Sequence, residues 1–369
     1  MLWITLFLLT ELSDSTFQVH TNYARSDKEM IAPYSMDYDQ SGRLYLLDRL
    51  AARVHVWQPG GAYAKHFGSE GQGPGEMVHP TQLAVAYGRV WVWGYDRKIH
   101  VFDLEGQFEW TSKLGHWLPK SMGIINENNL LVGIREARSA KIHMTFYKVQ
   151  LDNKSHRQLR TFPNHGFLDS NPAYRGPGEI KAFPPDTDIQ RGPDGTLYYG
   201  FSQNQTIYRI DADGGQIEEL VFPIPTSKPK ADDIEHVKNM SFPSPAGGRF
   251  SFKDFPDTRI NFNFDKAYYT HFLVQENRIL FVLTPTGSMT DLNNGYAKAS
   301  YHVFDRKTRK HLHRGAYELP EDSLVYYRNG KVLAITYDEA GSYVIRGVIL
   351  RGMEEWSTMA NSRVSKSAN

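Results

Sequence analysis

Apolar residues in this chain fall in short clusters at a repeated interval. Each cluster is followed by a turn residue and then by a run apolar at nearly every position. The first unit opens at Pro33, turns at Ser41 and Gly42, runs apolar from Leu44, and continues through Arg53–Trp57 and Ala62 to Phe67. The second opens at Pro80, turns at Gly88, runs from Val90, and continues from Lys98 and Gln107. Further units open at Pro119, at Pro185, near Tyr269 and at Pro320. Each unit predicts four short antiparallel strands joined by hairpin turns, with Gly or Asn where positive φ is needed. Proline opens five of the six first strands, where its missing N–H costs no ladder bond. The second strands lack alternation, which predicts burial on both faces between neighbouring sheets.

The second strands begin at Leu44, Val90, Leu130, Leu197, Ile279 and Val332, giving spacings of 46, 40, 67, 82 and 53 residues. The shortest match the roughly 40–50 residues of a propeller blade, and the others carry insertions. The predicted fold class is therefore all-β, a six-bladed β-propeller of four-stranded antiparallel blades. The sixth unit lacks an outer strand of its own. Residues 16–23 are the natural donor, and the ring is expected to close there.

The expected organisation is a signal peptide over 1–15, one propeller over 16–353 and a disordered polar tail over 354–369. Residues 2–9 are apolar but too short to span a bilayer, and small residues at Ser13 and Ser15 suit cleavage. No later segment reads as transmembrane. The expected compartment is extracytoplasmic, periplasmic or secreted.

The loop Phe67, Gly68, Gly71, Gly73, Pro74, Gly75, Glu76, His79 and Pro80 carries a resemblance, repeated in part at Gly176, Pro177, Gly178 and Glu179. With the third strands around His55 and His100, it resembles exported bacterial six-bladed propellers with NHL-like repeats. The resemblance implies the fold and is nearly silent on activity. The two Gly-Pro-Gly-Glu copies suit type II turns and are read as structural; the Lys and helix of a phosphate-binding loop are missing.

Composition narrows the chemistry. Lys plus Arg is 42 and Asp plus Glu is 41, a net charge of +1, which argues against nucleic-acid binding by bulk charge. Cysteine is absent, which removes disulfides, thiolate metal sites and Cys nucleophiles. The 21 Tyr, 20 Phe and 7 Trp favour pleated, half-buried surfaces.

Three groups of residues are candidates. The loops between second and third strands of the first three units hold Arg49, Arg53, Arg97, Lys98, Arg135, Arg138 and Lys141, a rim suited to carboxylate or phosphate. Asp48, Asp96 and Glu136 partly offset it. Long segments at 161–184, 224–265 and 285–299 are expected on the same face, which marks a binding side. At the channel mouth, the residues after each opening proline include Ser35, Gln82, Ser121, Asp188, His271 and Asp322. Of these, Asp188, His271, Asp322 and Gln82 could hold a Ca²⁺ ion. His55, His100, His143 and His302 are expected at equivalent third-strand positions as packing residues. His311 and His313 on one strand face are a weak metal pair.

The leading expectation is a monomeric, non-catalytic binding propeller for a protein or anionic glycan. The alternatives are a metal-dependent hydrolase or lyase at the channel mouth, and an assembly scaffold with no small ligand.

Overall fold

The computed structural model describes residues 17–26, 32–115, 119–138, 141–152, 154–163, 179–181, 187–211, 214, 217–225, 228, 231, 241–243, 249–251, 259–261, 267–283, 298–320, 323–328, 330–337 and 343–353. The expected signal peptide, the polar tail, Asp322 and Gly176 to Gly178 lie outside the described residues.

Six four-stranded antiparallel sheets form the blades. From channel to rim, blade 1 is Pro33–Tyr38, Leu44–Asp48, Arg53–Trp57 and Tyr63–Phe67. Blade 2 is Pro80–Ala86, Arg89–Gly94, Lys98–Asp103 and Phe108–Lys113. Blade 3 is Pro119–Asn126, Asn129–Arg138, Lys141–Gln150 and His156–Pro163. Blade 4 is Thr187–Arg191, Leu197–Phe201, Thr206–Ile210 and Ile217–Val221. Blade 5 is His271–Val274, Arg278–Val282, Lys298–Asp305 and His311–Glu318. Blade 6 is Leu324–Arg328, Lys331–Tyr337 and Tyr343–Leu350, with Phe17–Ser26 paired antiparallel to Tyr343–Leu350 as its outermost strand.

The unalternating second strands explain the ring. Side chains along a strand point alternately to its two faces, and here each face meets a different neighbour. Tyr45 and Leu47 pack with Leu83, Val90 and Val92 of blade 2, while Leu44 and Leu46 pack with Tyr326, Leu333 and Ile335 of blade 6. In blade 2, Val90 and Val92 face blade 1, and Trp91 and Trp93 face blade 3. The same division continues through blades 3 to 6, so each apolar cluster among the described residues lies between adjacent blades. Burying each such Val, Leu or Phe contributes about 1.5–3 kcal/mol.

The prolines mark strand starts in part. Pro33, Pro80 and Pro119 are first residues of inner strands, but those of blades 4 and 6 begin at Thr187 and Leu324. Ser323 N–H, just before the blade 6 inner strand, donates to the Pro320 carbonyl at 2.9 Å.

Blade 3 departs from its neighbours. Its second and third strands pair from Asn129↔Gln150 through Val132↔Tyr147 to Arg138↔Lys141, whereas blade 2 ends this ladder at Trp93↔Ile99. The hairpin overshoots its blade by roughly 15–20 Å at 3.4 Å per residue. This corrects the reading of the third-strand histidines. His55 and His100 pair with Leu46 and Val92, whose blade 3 counterpart Val132 faces Tyr147; His143 faces Glu136, farther along the arm.

Candidate functional site

The inner strands line a central channel. Counting from the second-strand registers, Ser35, Gln82, Ser121, Asp188 and His271 occupy equivalent positions. The blade 6 counterpart is Leu324, because its strand starts later than Pro320 suggests. Asp322, expected in this row, precedes the strand.

Inner strands expose one edge, and side chains of the preceding blade supply acceptors for it. Ser35 Oγ accepts from Leu83 N–H at 3.1 Å, and Asp37 Oδ2 accepts from Val85 N–H at 2.8 Å. Asp188 Oδ2 accepts from Phe272 N–H at 3.0 Å. Ser121 Oγ and Thr187 Oγ1 lie 3.0 Å apart, and Gln82 Nε2 donates to the Lys120 carbonyl at 3.4 Å.

A cavity of about 90 Å³ runs along this channel, with lining from every blade. Its charged and titratable wall is Asp37, Lys120, Asp188, Arg191, His271 and Arg328. Burial pushes the Asp37 carboxyl up to about 6, against the pull of the Val85 and Tyr38 amides and the Arg328 charge. Burial pushes Lys331, behind Asp37, down, and its Nζ sits 4.1 Å from the centre of the Tyr38 ring. His271 Nδ1 is 3.6 Å from Asp188 Oδ2, and its ring stacks on Tyr327 at 4.9 Å.

The proposed metal ligands meet only in part. Gln82, Asp188 and His271 line the same cavity. Asp188 is already engaged by Phe272 N–H and by the Gln190 amide at 3.0 and 3.2 Å. Among the described residues, no three His, Asp or Glu side chains converge on a metal position. The sequence reading missed Asp37, Arg191 and Arg328. For Asp37 a signal existed: it stands two residues after Ser35 on the same face of the inner strand.

The second-to-third-strand loops form the other candidate. Arg49 and Arg53 flank the blade 1 turn, with the Arg49 guanidinium 5.0 Å from the Tyr34 ring centre. Arg97 sits in the exposed blade 2 turn with φ 59°, followed by Lys98. Arg135 is exposed on the blade 3 arm, whose last pair is Arg138↔Lys141. Leu50 and Tyr95, in the corresponding turns of blades 1 and 2, are 61% and 58% exposed, so apolar surface accompanies the basic residues. The offsetting acids have local tasks. Asp48 Oδ1 accepts from the Ala32 and Ala51 amides, both at 3.1 Å. Asp96 accepts from Lys98 N–H and lies 3.0 Å from His100 Nε2. Glu136 accepts from the Tyr147 hydroxyl at 2.8 Å. Among the described residues, no carboxylate forms an ion pair with Arg53 or Arg97.

The long connectors also meet. Glu179–Lys181, before blade 4, pairs in parallel with Arg259–Asn261, before blade 5.

The Gly-Pro-Gly-Glu loop after blade 1 has structural geometry. Glu76 N–H donates to the Gly73 carbonyl at 3.1 Å, and Gly75 takes φ +77°, as a type II turn requires. The Glu76 carboxylate folds back onto Gly73 N–H at 2.7 Å, while Met77 is fully buried between blades 1 and 2. The histidines serve packing and local bonds: His55 Nδ1 lies 3.2 Å from the Tyr63 hydroxyl, and His302 Nδ1 lies 2.9 Å from His311 Nε2. His311 thus partners His302 across the strands, while the His313 ring packs 6.0 Å from that of Tyr301.

These features define a six-bladed β-propeller with a narrow polar channel and a basic rim. A family model described as a 6-bladed beta-propeller matches residues 27–174. The chain is similar to a protein from Bacteroides fragilis described as exported, with a TM-score of 0.56, 12% identity, and coverage of 92% of this chain and 96% of that one. It is also similar to virginiamycin B lyase from Staphylococcus aureus, with a TM-score of 0.45, 15% identity, and coverage of 90% and 99%. Regucalcin from Agrobacterium tumefaciens, described as calcium-binding, gives a TM-score of 0.39 and 13% identity over 89% and 95% of the two chains. No curated protein matches. At 12% identity the likeness to the Bacteroides fragilis protein shows the fold and leaves activity to the residues. No helix among the described residues is long and apolar enough to cross a membrane.

Proposed function

We propose that this protein is an extracytoplasmic, non-catalytic binding propeller that takes an anionic macromolecule, a glycan or an acidic protein segment, on its basic rim. One observation carries this reading. Adjacent blades present Arg53 and Arg97 with no carboxylate partner among the described residues, beside exposed Leu50 and Tyr95. Guanidinium groups suit carboxylate through paired N–H donors, and exposed aromatic and aliphatic surface adds contact area. The overshooting blade 3 hairpin and the pairing of the two long connectors with each other support a built recognition face. The apolar stretch at residues 2–9 supports export.

The test is retention of the full chain on immobilised polygalacturonate and on immobilised polyglutamate. The comparison is a variant carrying Arg53→Gln, Arg97→Gln and Arg135→Gln. Wild type is expected to bind one of the two, more weakly as salt rises, with the variant weakened about tenfold or more. Equal retention of the variant, or none of wild type on either surface, refutes the rim. New unsaturated ends in the polygalacturonate would refute the non-catalytic part.

A further inference from the structure

The channel cavity is separate from the rim and has its own charge logic. Six titratable side chains face it, and their hydrogen bonds divide them into two groups. The acids are used by the fold. Asp37 Oδ1 accepts from Tyr38 N–H at 2.8 Å and Oδ2 from Val85 N–H at 2.8 Å. Both Asp188 oxygens accept from Gln190, and Oδ2 also from Phe272 N–H. A cation entering the cavity would share these carboxylates with their amide donors while facing Arg191, Arg328 and Lys120.

The guanidinium groups are less committed. Arg191 donates through Nη1 to the Gly195 carbonyl at 2.7 Å and through Nη2 to the Ile124 carbonyl, which fixes it across the seam between blades 3 and 4. Arg328 donates only Nη1, to the Tyr327 carbonyl at 2.9 Å, so its remaining N–H groups have no acceptor among the described residues. A guanidinium offers five donors in a planar fork that matches a carboxylate. His271 adds an imidazole whose Nδ1 side faces Asp188, leaving Nε2 without a partner among the described residues. Gln82, Ser121 and Thr187 supply further polar lining, and Leu83, Val85, Ile124 and Leu197 supply apolar wall.

We propose that the central channel is a binding site for a small carboxylate, held by the N–H groups of Arg328 that have no acceptor among the described residues, with the fixed charge of Arg191 in the same cavity wall. The cavity of about 90 Å³ is large enough to admit a small carboxylate such as acetate or succinate. Apolar walls lower the local dielectric around the guanidinium–carboxylate pair and strengthen it relative to a surface pair. The site does not rest on the rim reading: its guanidinium groups stand on blades 4 and 6, and it uses none of the rim arginines.

Isothermal titration of the full chain with succinate and acetate, and with butane-1,4-diol as the neutral control, tests the site. Succinate or acetate is expected to bind and the diol not to bind. Arg328→Gln should weaken binding at least tenfold, and Arg328→Lys should recover part of the loss. Ala84→Leu, which fills the channel without removing charge, should abolish binding while the unfolding midpoint stays within a few degrees of wild type. The variant with Arg53→Gln, Arg97→Gln and Arg135→Gln should bind succinate as wild type does, which separates this site from the rim. Absence of binding by both acids, unchanged affinity in Arg328→Gln or in Ala84→Leu, or loss confined to the rim variant would each overturn the proposal.

Discussion

Replacing Asp37 with Asn isolates the cost of a carboxylate buried in the channel. Its carboxyl titrates at about 6 in the fold, against an ordinary value of 3.8. Burial is the largest cause, and the amide donors and Arg328 oppose it. A raised folded value means that the fold holds the proton more tightly than the unfolded chain does. The stabilisation is therefore fully present below the ordinary value and is lost as pH rises through the folded one. The whole effect is about 3 kcal/mol, from about two pKa units at 1.36 kcal/mol each. Between about pH 5 and about pH 7.5 wild type should lose on the order of 1 kcal/mol that Asp37→Asn does not lose. Asn keeps one carbonyl acceptor, so either Val85 N–H or Tyr38 N–H loses its partner, at a pH-independent cost of about 1–3 kcal/mol. The variant should be clearly less stable than wild type at about pH 5 and closer to it at about pH 7.5. Urea unfolding of both proteins, followed by tryptophan fluorescence at the two pH values, measures this difference. All other titrating groups are common to both and cancel. A stability gap that is the same at both pH values would refute the ionisation argument.

Two further substitutions test the packing. Gly94→Ala should destabilise strongly, by about 3 kcal/mol or more, because a Cβ there would stand 2.3 Å from the His79 carbonyl oxygen and 2.7 Å from Pro80 Cα, backbone that cannot rotate away; a loss below about 1 kcal/mol in urea unfolding would show that the start of the blade 2 inner strand packs more loosely than described. Tyr269→Phe should be neutral or stabilising by about 1 kcal/mol, because the ring is fully buried and its hydroxyl has no hydrogen-bond partner among the described residues; clear destabilisation would place a partner on that oxygen.

The blades were legible because their signal is local. An inner proline, a Gly or Asn turn and an unalternating apolar run recur in nearly every unit, and burial of Leu44–Asp48 at every position follows from packing between two neighbours. Register was legible only where turns were short. The extended arm of blade 3 carries polar residues on a ladder that continues past the blade, so His143 was assigned to a row that Tyr147 occupies. Blade 6 was shifted for a related reason: its inner strand begins only at Leu324, which stands where a carboxylate was expected. The rim arginines were found from loop position alone. Arg191 and Arg328 were not, because both stand at the far ends of inner strands, where a sequence shows only a basic residue before a turn.

The two channel carboxylates share a cause that the sequence does not display. A propeller leaves one edge of every inner strand unpaired, and buried N–H groups there require acceptors. Ser35 and Asp188 occupy equivalent positions and make the same bond, to Leu83 N–H and Phe272 N–H, which are themselves equivalent. Serine and aspartate are thus interchangeable solutions to one backbone problem, and Asp37 repeats it two residues on, at Val85 N–H. An aspartate used in this way already shares its oxygens with donors of its own strand and of the neighbouring blade. The unspent polarity of the channel is cationic, on Arg328 above all, and for that reason the carboxylates that drew attention in the sequence frame the site while the arginines set what it can bind.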